Sequence, residues 1–325
     1  MPTNIGPILP LKDQILQCTL KDEQGLNDFQ KLPDALGIEI PRVGITRFRL
    51  PLKFKHGPEI MHHDATASMY VHLSSGKTGI NMSRLCGILQ QEAESSTVDL
   101  NFMKVVLSRY RDELRDNDQD PLMKEAFLKL AFAYPLKQKS LKSNNWGWQY
   151  YPCEISAKQS DKGEASILIT IKYEYSSTCP CSLSMAKQYE RDFAEGKTTE
   201  GNGIGVAHGQ RSGATLKIML SPEGLKNHFF IPEIVELLRR AIPTETQSLV
   251  KRIDEQAFAI INGSNPMFVE HASKRLHQVL NNQPEISDWL VELEHWESLH
   301  SHNAAAVIFK GVAGGLRQDD LFGHQ

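Results

Sequence analysis

A short segment with strict two-residue alternation constrains the fold of this chain more than any other feature of the sequence. Residues 167–175 read "ILITIKYEY", with a large apolar or aromatic side chain at every second position. Successive side chains of an extended strand point to opposite faces. One face of this strand is therefore expected to pack against a core, while Thr170, Lys172 and Glu174 face away from it. This pattern is typical of an antiparallel sheet with helices on one side.

Similar alternation predicts strands on both sides of this segment, and helical spacing predicts helices between them. The predicted strands cover residues 41–55, 65–75, 146–159, 214–220, 288–297 and 304–312. Residues 124–140 fit either class, and the segment that follows favours a strand. Helical spacing covers residues 81–95, 98–114, 232–261 and 266–280, with Asn81 and either Thr97 or Asp99 as N-caps.

The order strand, strand, helices, strand, strand occurs twice along the chain, without a visible repeat of residues. This order predicts an α+β fold of two tandem ββααββ units, with antiparallel sheets and helices on one face. We expect residues 1–35 to form an N-terminal arm, residues 36–160 the first unit and residues 161–325 the second unit.

Composition and charge exclude several classes of partner. The 325 residues are 40% hydrophobic and 23% charged, with a formal net charge of -3. These values are typical of a soluble globular protein and give no bulk attraction to nucleic acid or to a membrane. No secretory signal and no apolar run of about 20 residues are visible. We expect a cytoplasmic protein whose five cysteines stay reduced.

Cys179 and Cys181 follow the alternating strand in the stretch "TCPCS". Residues two apart in an extended chain share a face, so both thiols are expected to address one site. A disulfide across so short a loop is strained, and no second close pair of cysteines completes a structural zinc site. Taken alone, the pair is compatible with packed apolar thiols, with a metal ligand or with a catalytic nucleophile.

Histidines near the later strands extend the set of candidate ligands. His208 precedes the strand at residues 214–220, and His300 and His302 are expected on one face of the last strand, because they are two residues apart. Thiolate, imidazole and carboxylate together bind zinc or a similar divalent ion and leave one position open for water. The pattern therefore favours a catalytic metal site over a structural one.

Carboxylates and phosphate-binding groups are less well defined by the pattern. Spacing alone does not choose among Glu245, Glu255 and Glu270, because glutamates on helices mostly cover a solvated face. The chain has no G-x-S-x-G elbow and no glycine-rich nucleotide loop. Any bound phosphate is therefore expected to meet cationic side chains, such as Arg211 and Lys77, the latter in the turn "SSGKTG".

Several short segments, taken together, resemble the type IB family of GTP cyclohydrolases. In chain order they are "VGITRFRLPL", "TGINMSRL", "TCPCS", "HGQRS", "KRIDEQAF", "NPMFVE" and "ESLHSHNA". The resemblance extends from about Arg42 to the end of the chain. It implies the tunnelling fold, in which ββααββ units join into a barrel. It also implies a homo-oligomer, expected to be a tetramer, with active sites between subunits.

The same resemblance implies the reaction and the residues that perform it. GTP would be opened at the imidazole ring of guanine, releasing formate and giving 7,8-dihydroneopterin triphosphate, the first step of folate synthesis. The cofactor would be a divalent zinc, manganese or iron ion. The implied residues are Cys179, His208 and His302 for catalysis; Cys179, His208, Glu255 and His300 for the metal; and Glu270, Arg211, Lys77 and Arg84 for the substrate.

The chain departs from the family pattern at two places. The stretch "KQYERDFAEGKTTEGNG" lengthens the loop between Cys179 and His208, and Gly209 follows His208 where the family has asparagine. The resemblance therefore implies the role of Cys179 more directly than that of His208.

Two other functions remain open at this stage. A nitrile reductase of the same fold would use Cys179 or Cys181 as a covalent nucleophile with a nicotinamide cofactor, although the chain has no dinucleotide fingerprint. A non-enzymatic binding module would hold a structural ion with Cys179, His208 and His300. Metal removal distinguishes this second alternative, because a structural ion is needed for folding.

Overall fold

The computed structural model describes residues 11–22, 24–34, 36–115 and 122–317. Its helices are α1 (Leu11–Leu16), α2 (Met82–Ser95), α3 (Leu100–Glu113), α4 (Pro180–Ala194), α5 (Pro222–Lys226), α6 (Ile231–Ala241), α7 (Arg252–Ser264) and α8 (Val269–Asn281). Its strands are β1 (Ile40–His56), β2 (Glu59–Leu73), β3 (Ala126–Lys139), β4 (Trp146–Gln159), β5 (Ala165–Thr178), β6 (Gly209–Leu220), β7 (Ile286–His295) and β8 (Ala304–Phe309). The expected N-terminal arm falls partly outside the described residues.

Strand order follows chain order from β1 to β8. The pairs β1–β2, β5–β6, β6–β7 and β7–β8 are antiparallel. Every predicted strand is present, including residues 124–140 as β3, which confirms the α+β class. Within the described residues the strands form one continuous ladder, whereas the sequence predicted separate sheets. Among those residues, none of the helices is long and apolar enough to cross a membrane.

Two compact units interleave along the sequence. One comprises Met1–Leu130 and Ser156–Ser166, and the other comprises Ala131–Ile155 and Ile167–Gln325. The chain changes unit within β3, within β4 and within β5, because each of these strands begins in one unit and ends in the other. The tandem boundary between residues 160 and 161 stays a prediction about the repeated order of elements.

In the first unit, α2 packs on β1 and on α3. The hairpin face that forms the core carries Leu52, Ala67 and Met69, each of which is fully buried. Asn81 caps α2 by accepting a hydrogen bond from the backbone of Arg84, as predicted. Asp99, and not Thr97, caps α3, because its carboxylate accepts the backbone N–H of Phe102 at 2.7 Å.

In the second unit, the alternating segment forms most of β5 and has the expected burial. One face is fully buried and consists of Ile167, Ile169, Ile171, Tyr173 and Tyr175. The helix α8 packs on β7, β8 and α6, and its apolar residues complete the core of this unit. The two-residue period therefore identified the innermost strand face correctly.

The helical pattern predicted over residues 232–261 is interrupted, which corrects that prediction. α6 ends at Ala241 and α7 begins at Arg252. Pro243 lies between them and cannot donate a backbone hydrogen bond. The intervening backbone instead pairs with β5, where the N–H of Ser176 donates to the carbonyl of Thr244 at 2.7 Å. This extended segment carries Glu245, which the structure therefore removes from a solvated helix face.

Candidate active site

The end of β5 and the start of β6 bring the predicted thiol and imidazole together. The antiparallel register of the two strands ends with Thr178 opposite Gly209. One further backbone hydrogen bond, from the N–H of Cys179 to the carbonyl of His208 at 3.2 Å, continues the ladder. Both residues are partly exposed. Backbone pairing therefore fixes Cys179 beside His208 without any contribution from a ligand.

Cys181 does not share the position of Cys179. Pro180 is the first residue of α4, and Cys179 is its N-cap with extended backbone angles, φ -67° and ψ 120°. Proline is favoured at the first helical position, because its fixed φ suits a helix and its missing N–H is not needed there. The expectation that both thiols follow one extended strand is therefore wrong. Cys181 lies inside the helix and is exposed.

The orientation of His208 is set by a polar chain that the sequence analysis did not select. The Nδ1 atom of His208 lies 3.1 Å from the Oε1 atom of Gln210, which can only accept a hydrogen bond. The Nε2 atom of Gln210 donates to the Oε1 atom of Glu297 at 3.2 Å. Nδ1 therefore carries the proton, and Nε2 of His208 is the nitrogen that presents a lone pair to a ligand.

Glu297 is a further candidate functional residue beside His208. Its Oε2 atom lies 3.7 Å from Nδ1 of His208. Among the described residues this oxygen is buried and has no hydrogen-bond partner. A buried carboxylate oxygen without a partner is costly, and such atoms often mark functional positions. Glu297 begins the segment "ESLHSHNA", which was the signal in the sequence, but its proximity to His208 depends on strand register.

The structure places His300 and His302 on a loop, which corrects their predicted position on the last strand. Both are exposed in the connection between β7 and β8. Their rings stack with centroids 4.8 Å apart and planes 9° from parallel. Glu294 closes this connection by accepting hydrogen bonds from the side chains of Asn303 and Trp296, each at 2.9 Å. These two bonds lower the pKa of Glu294 and favour a closed loop over a longer strand.

Glu255 lies in the first turn of α7 and is exposed. Its neighbour Asp254 is fully buried and accepts the backbone N–H groups of Lys142, Ser143 and Lys251 at 2.7, 2.9 and 2.8 Å. Burial would raise the pKa of Asp254, but a hydrogen bond from the side chain of Ser143 and these backbone hydrogen bonds hold it well below its usual range. Asp254 therefore anchors the start of α7 and fixes the backbone position of Glu255.

Glu270 lies in the first turn of α8, which begins close to Cys179. The N–H of Met267, just before the helix, donates to the carbonyl of Thr178 at 3.0 Å. On β7, His295 is only 2% exposed, and burial lowers its pKa to about 4. The negative charge of Glu270 acts in the other direction and raises this pKa. The charge of Glu270 therefore reaches the imidazole of His295, although no hydrogen bond or ion pair joins the two side chains among the described residues.

The predicted phosphate ligands lie on different elements. Arg211 is on the β6 face opposite to Gln210 and Ser212, 3.5 Å from the carboxylate of Glu174. In the first unit, the backbone N–H of Lys77 donates to the carbonyl of Ser74 at 3.1 Å. The guanidinium of Arg84 donates to two carbonyls near the end of α3, those of Glu113 and Arg115, at 3.2 and 3.3 Å. The roles of these cations stay predictions.

The predicted metal ligands do not all lie close together within the described part of one chain. Within the described residues, no three His, Cys, Asp or Glu side chains lie close enough together to hold a metal ion. Cys179 and His208 form a pair, while Glu255 and His300 lie on α7 and on the β7–β8 connection. The four-ligand set therefore stays a prediction.

Comparison with known families assigns the chain to one of them. The family model described as type I GTP cyclohydrolase FolE2 matches residues 26–306. The chain belongs to this FolE2 family. One relative, "GTP cyclohydrolase FolE2" of Ruegeria sp. (strain TM1040), is 34% identical over 88% of this chain and 74% of its own length. Another, of Ruegeria pomeroyi, is 36% identical over 89% of this chain and 75% of its own length.

Solved structures resemble this FolE2 family member in fold. A uricase from Arthrobacter globiformis has a TM-score of 0.50 and 9% identity, covering 87% of this chain and 97% of the uricase. A hyper-thermostable uricase mutant also has a TM-score of 0.50, with 8% identity, 86% coverage of this chain and 95% of its own. At this identity the likeness concerns the fold alone, and it confirms the tunnelling fold.

Proposed function

We propose that the chain is a type IB GTP cyclohydrolase. It opens the imidazole ring of the guanine of GTP by hydrolysis, releases formate and gives 7,8-dihydroneopterin triphosphate for folate biosynthesis. The observation that carries this proposal is the Cys179–His208 pair, fixed by the β5–β6 ladder in a chain of the FolE2 family. Membership of an enzyme family favours this reading over a binding module with a structural ion.

The donor chemistry at the pair fits a divalent metal ion. A thiol and an imidazole nitrogen suit zinc, and also iron or manganese when carboxylates join them. Cys179 and His208 would hold the ion, with Glu255 and His300 as the remaining ligands. When bound, such an ion supplies a polarised water that can attack a purine carbon near neutral pH.

We also propose that the site is completed in a homo-oligomer, such as a tetramer. No three donors meet within the described part of one chain. In the proposed assembly, surfaces from other copies would bring Glu255 and His300 to the pair. Large apolar side chains beside these residues support this assembly: Ile253 is 53%, Ile260 63% and Leu299 66% exposed. Ile253 and Ile260 are seven residues apart and therefore share one face of α7, and contiguous apolar surface of this kind marks protein interfaces.

Side chains of this protein provide the other steps of the proposed reaction. Glu270 accepts paired N–H groups from the edge of the guanine, which requires its carboxylate to be ionised. His302, which is exposed, exchanges protons during ring opening. Arg211, Lys77 and Arg84 offset the charge of the triphosphate. The reaction needs neither nucleic acid nor a membrane as a partner. The five cysteines are free thiols, which supports a cytoplasmic location.

The experiment is incubation of the purified protein with GTP after separate loading with zinc, manganese and iron. Formate and a fluorescent oxidised pterin are the expected products, and Cys179→Ala is the matched control. Absence of both products with all three metals would contradict the proposal. Consumption of a reduced nicotinamide cofactor with a nitrile substrate would instead support the nitrile reductase.

A further inference from the structure

Two histidines converge near the turn of the β1–β2 hairpin, in the unit that does not contain Cys179. The Nε2 atoms of His56 and His63 lie 3.0 Å apart, and the two rings meet edge to face with centroids 5.2 Å apart. Both side chains are half-buried. The proposed reaction uses neither residue, so this contact between two ligating nitrogens requires its own explanation.

The backbone of the hairpin holds the two rings on one face. His56 lies opposite Glu59, and His63 lies four residues further along β2, so the three side chains share one side of the sheet. On that side the ring of His63 packs against the buried ring of Phe54, with centroids 5.4 Å apart. A two-residue turn, residues 57–58, joins the strands beside His56. The pair therefore lies on a paired sheet element and not on a long loop.

The contact between the rings is a hydrogen bond between neutral imidazoles. Burial lowers the pKa of His56 and the pKa of His63, so both rings are neutral near pH 7. One Nε2 atom carries a proton and donates, while the other accepts. If the donating ring carries its proton on Nδ1 instead, both Nε2 atoms present a lone pair to the space between them. This change of tautomer leaves the net charge of the pair unchanged.

The spacing of the two nitrogens matches that of two imidazoles on one metal ion. With metal–nitrogen bonds of about 2.0–2.1 Å, two ligands lie about 3.3 Å apart on a tetrahedral ion and about 2.9 Å apart at a right angle. The observed 3.0 Å lies between these values. We propose that His56 and His63 bind a divalent transition-metal ion such as zinc, whose other positions are filled by water.

This hairpin site has two protein ligands. Within the described residues, no three His, Cys, Asp or Glu side chains lie close enough together to hold an ion, so water supplies the remaining ligands. Glu59, which is exposed opposite His56, adds a negative charge that favours a cation. An ion held from both strands joins β1 to β2, and its role is to stabilise the hairpin. The inference does not rest on the proposed function.

Zinc binding to Cys179→Ala tests the inference, because this variant lacks the thiolate of the proposed catalytic site. His56→Phe and His63→Phe, each added to Cys179→Ala, keep an aromatic ring and remove one ligand. Competition with a chromophoric chelator should show that each lowers the zinc affinity by more than about 100-fold, the upper end of the range for residues that only orient a ligand. His62→Phe in the same background is the matched control, because His62 is exposed on the other face of β2, and it should leave the affinity unchanged.

Melting temperatures give a second readout of the same site. Zinc should raise the melting temperature of Cys179→Ala and of its His62→Phe derivative, because an ion that binds only the folded hairpin stabilises it. The derivatives with His56→Phe or His63→Phe should show no such rise. If one of these two derivatives does not fold, the other still tests the site, since both ligands are required.

Two results would overturn the inference. One is equal zinc affinity in Cys179→Ala and in its folded His56→Phe or His63→Phe derivative, and the other is an equal loss of affinity in the His62→Phe control. Neither result affects the proposed function, which is tested by GTP turnover. Absence of formate and pterin would contradict the proposed function and leave the hairpin site intact.

Discussion

The two regions that carry the predicted metal ligands are held in different ways. At the strand end, Cys179 and His208 are joined by a backbone hydrogen bond, and Gln210 fixes the imidazole. In the connection between β7 and β8, His300 and His302 are exposed and stack on each other. The first region is determined by the sheet of one chain, whereas the second presents its side chains outward.

This difference indicates that each chain carries a preformed half of the proposed site. Ladder hydrogen bonds arrange the thiol and the imidazole before any ligand arrives, which lowers the entropic cost of binding. Under the proposal, a surface from another copy covers the exposed histidines. Substitutions in the two regions should therefore differ in their effects on metal binding and on stability.

The largest expected effect is that of Cys179→Ala. Removal of the thiolate should abolish detectable GTP turnover, a loss on the order of 10³-fold or more for a residue that holds the catalytic ion. The circular dichroism spectrum should remain near that of wild type, because the backbone bond to His208 does not use the side chain. Metal content per chain, measured with Cys181→Ala as the matched control, should fall only in Cys179→Ala. Comparable turnover in Cys179→Ala would remove it as a ligand.

The next effect is that of His300→Ala, which tests the exposed region. We expect turnover and metal affinity to fall by at least about 100-fold, the upper end of the range for residues that only orient a ligand, while the melting temperature of the metal-free protein stays unchanged. His302→Ala is the control in the same loop and should retain the metal while altering the pH profile of kcat. A lower melting temperature in metal-free His300→Ala would show that the loop is already part of the folded core.

A smaller effect is expected from Gln210→Ala, which leaves all four predicted ligands in place. Without the acceptor for Nδ1, His208 can adopt the other tautomer, and metal affinity should fall about 10-fold, at the lower end of the range for residues that orient a ligand. Competition with a chelator measures this affinity. Gln210→Glu restores an acceptor and should recover binding, and a failure of both variants to change affinity would contradict the assigned orientation.

The smallest effect concerns the dependence of stability on pH. The pKa of His295 is about 4 in the folded protein and about 6.5 in an unfolded chain, so the unfolded state binds more protons between these values. The stability due to neutral His295 is therefore complete above about pH 6.5 and declines as the pH falls towards 4. Melting temperatures should show this decline in wild type and a flatter profile in His295→Phe, and identical profiles would count against the buried neutral imidazole.

Most of the fold was predictable because it depends on local periodicity. The alternation at residues 167–175 identified the buried face of β5. Short polar side chains identified the cap Asn81 and left Thr97 and Asp99 as alternatives, of which the structure shows Asp99. The break between α6 and α7 was missed because apolar spacing resumes on both sides of Pro243. Its position depends on pairing with β5, a contact between distant parts of the chain.

The candidate site was predictable only in part, for the same physical reason. Residue types and the family resemblance selected Cys179 and His208, and the β5–β6 register places them together. Gln210 and Glu297 were missed because their role depends on register across three strands. The residues His300 and His302 were assigned to a strand because two-residue spacing does not distinguish a strand from a loop closed by Glu294.

The lengthened connection between Cys179 and His208 offers a site for protein engineering. None of the described residues of α4 is buried. The connection packs on this helix through Tyr189, whose hydroxyl donates to the carbonyl of Glu200 at 2.6 Å and accepts the N–H of Gly203 at 3.0 Å. The entropic cost of closing a loop rises slowly with its length. A reporter peptide or a fluorescent group placed at Thr199, which is exposed, should therefore be carried without displacing the thiol or the imidazole at the base of the loop.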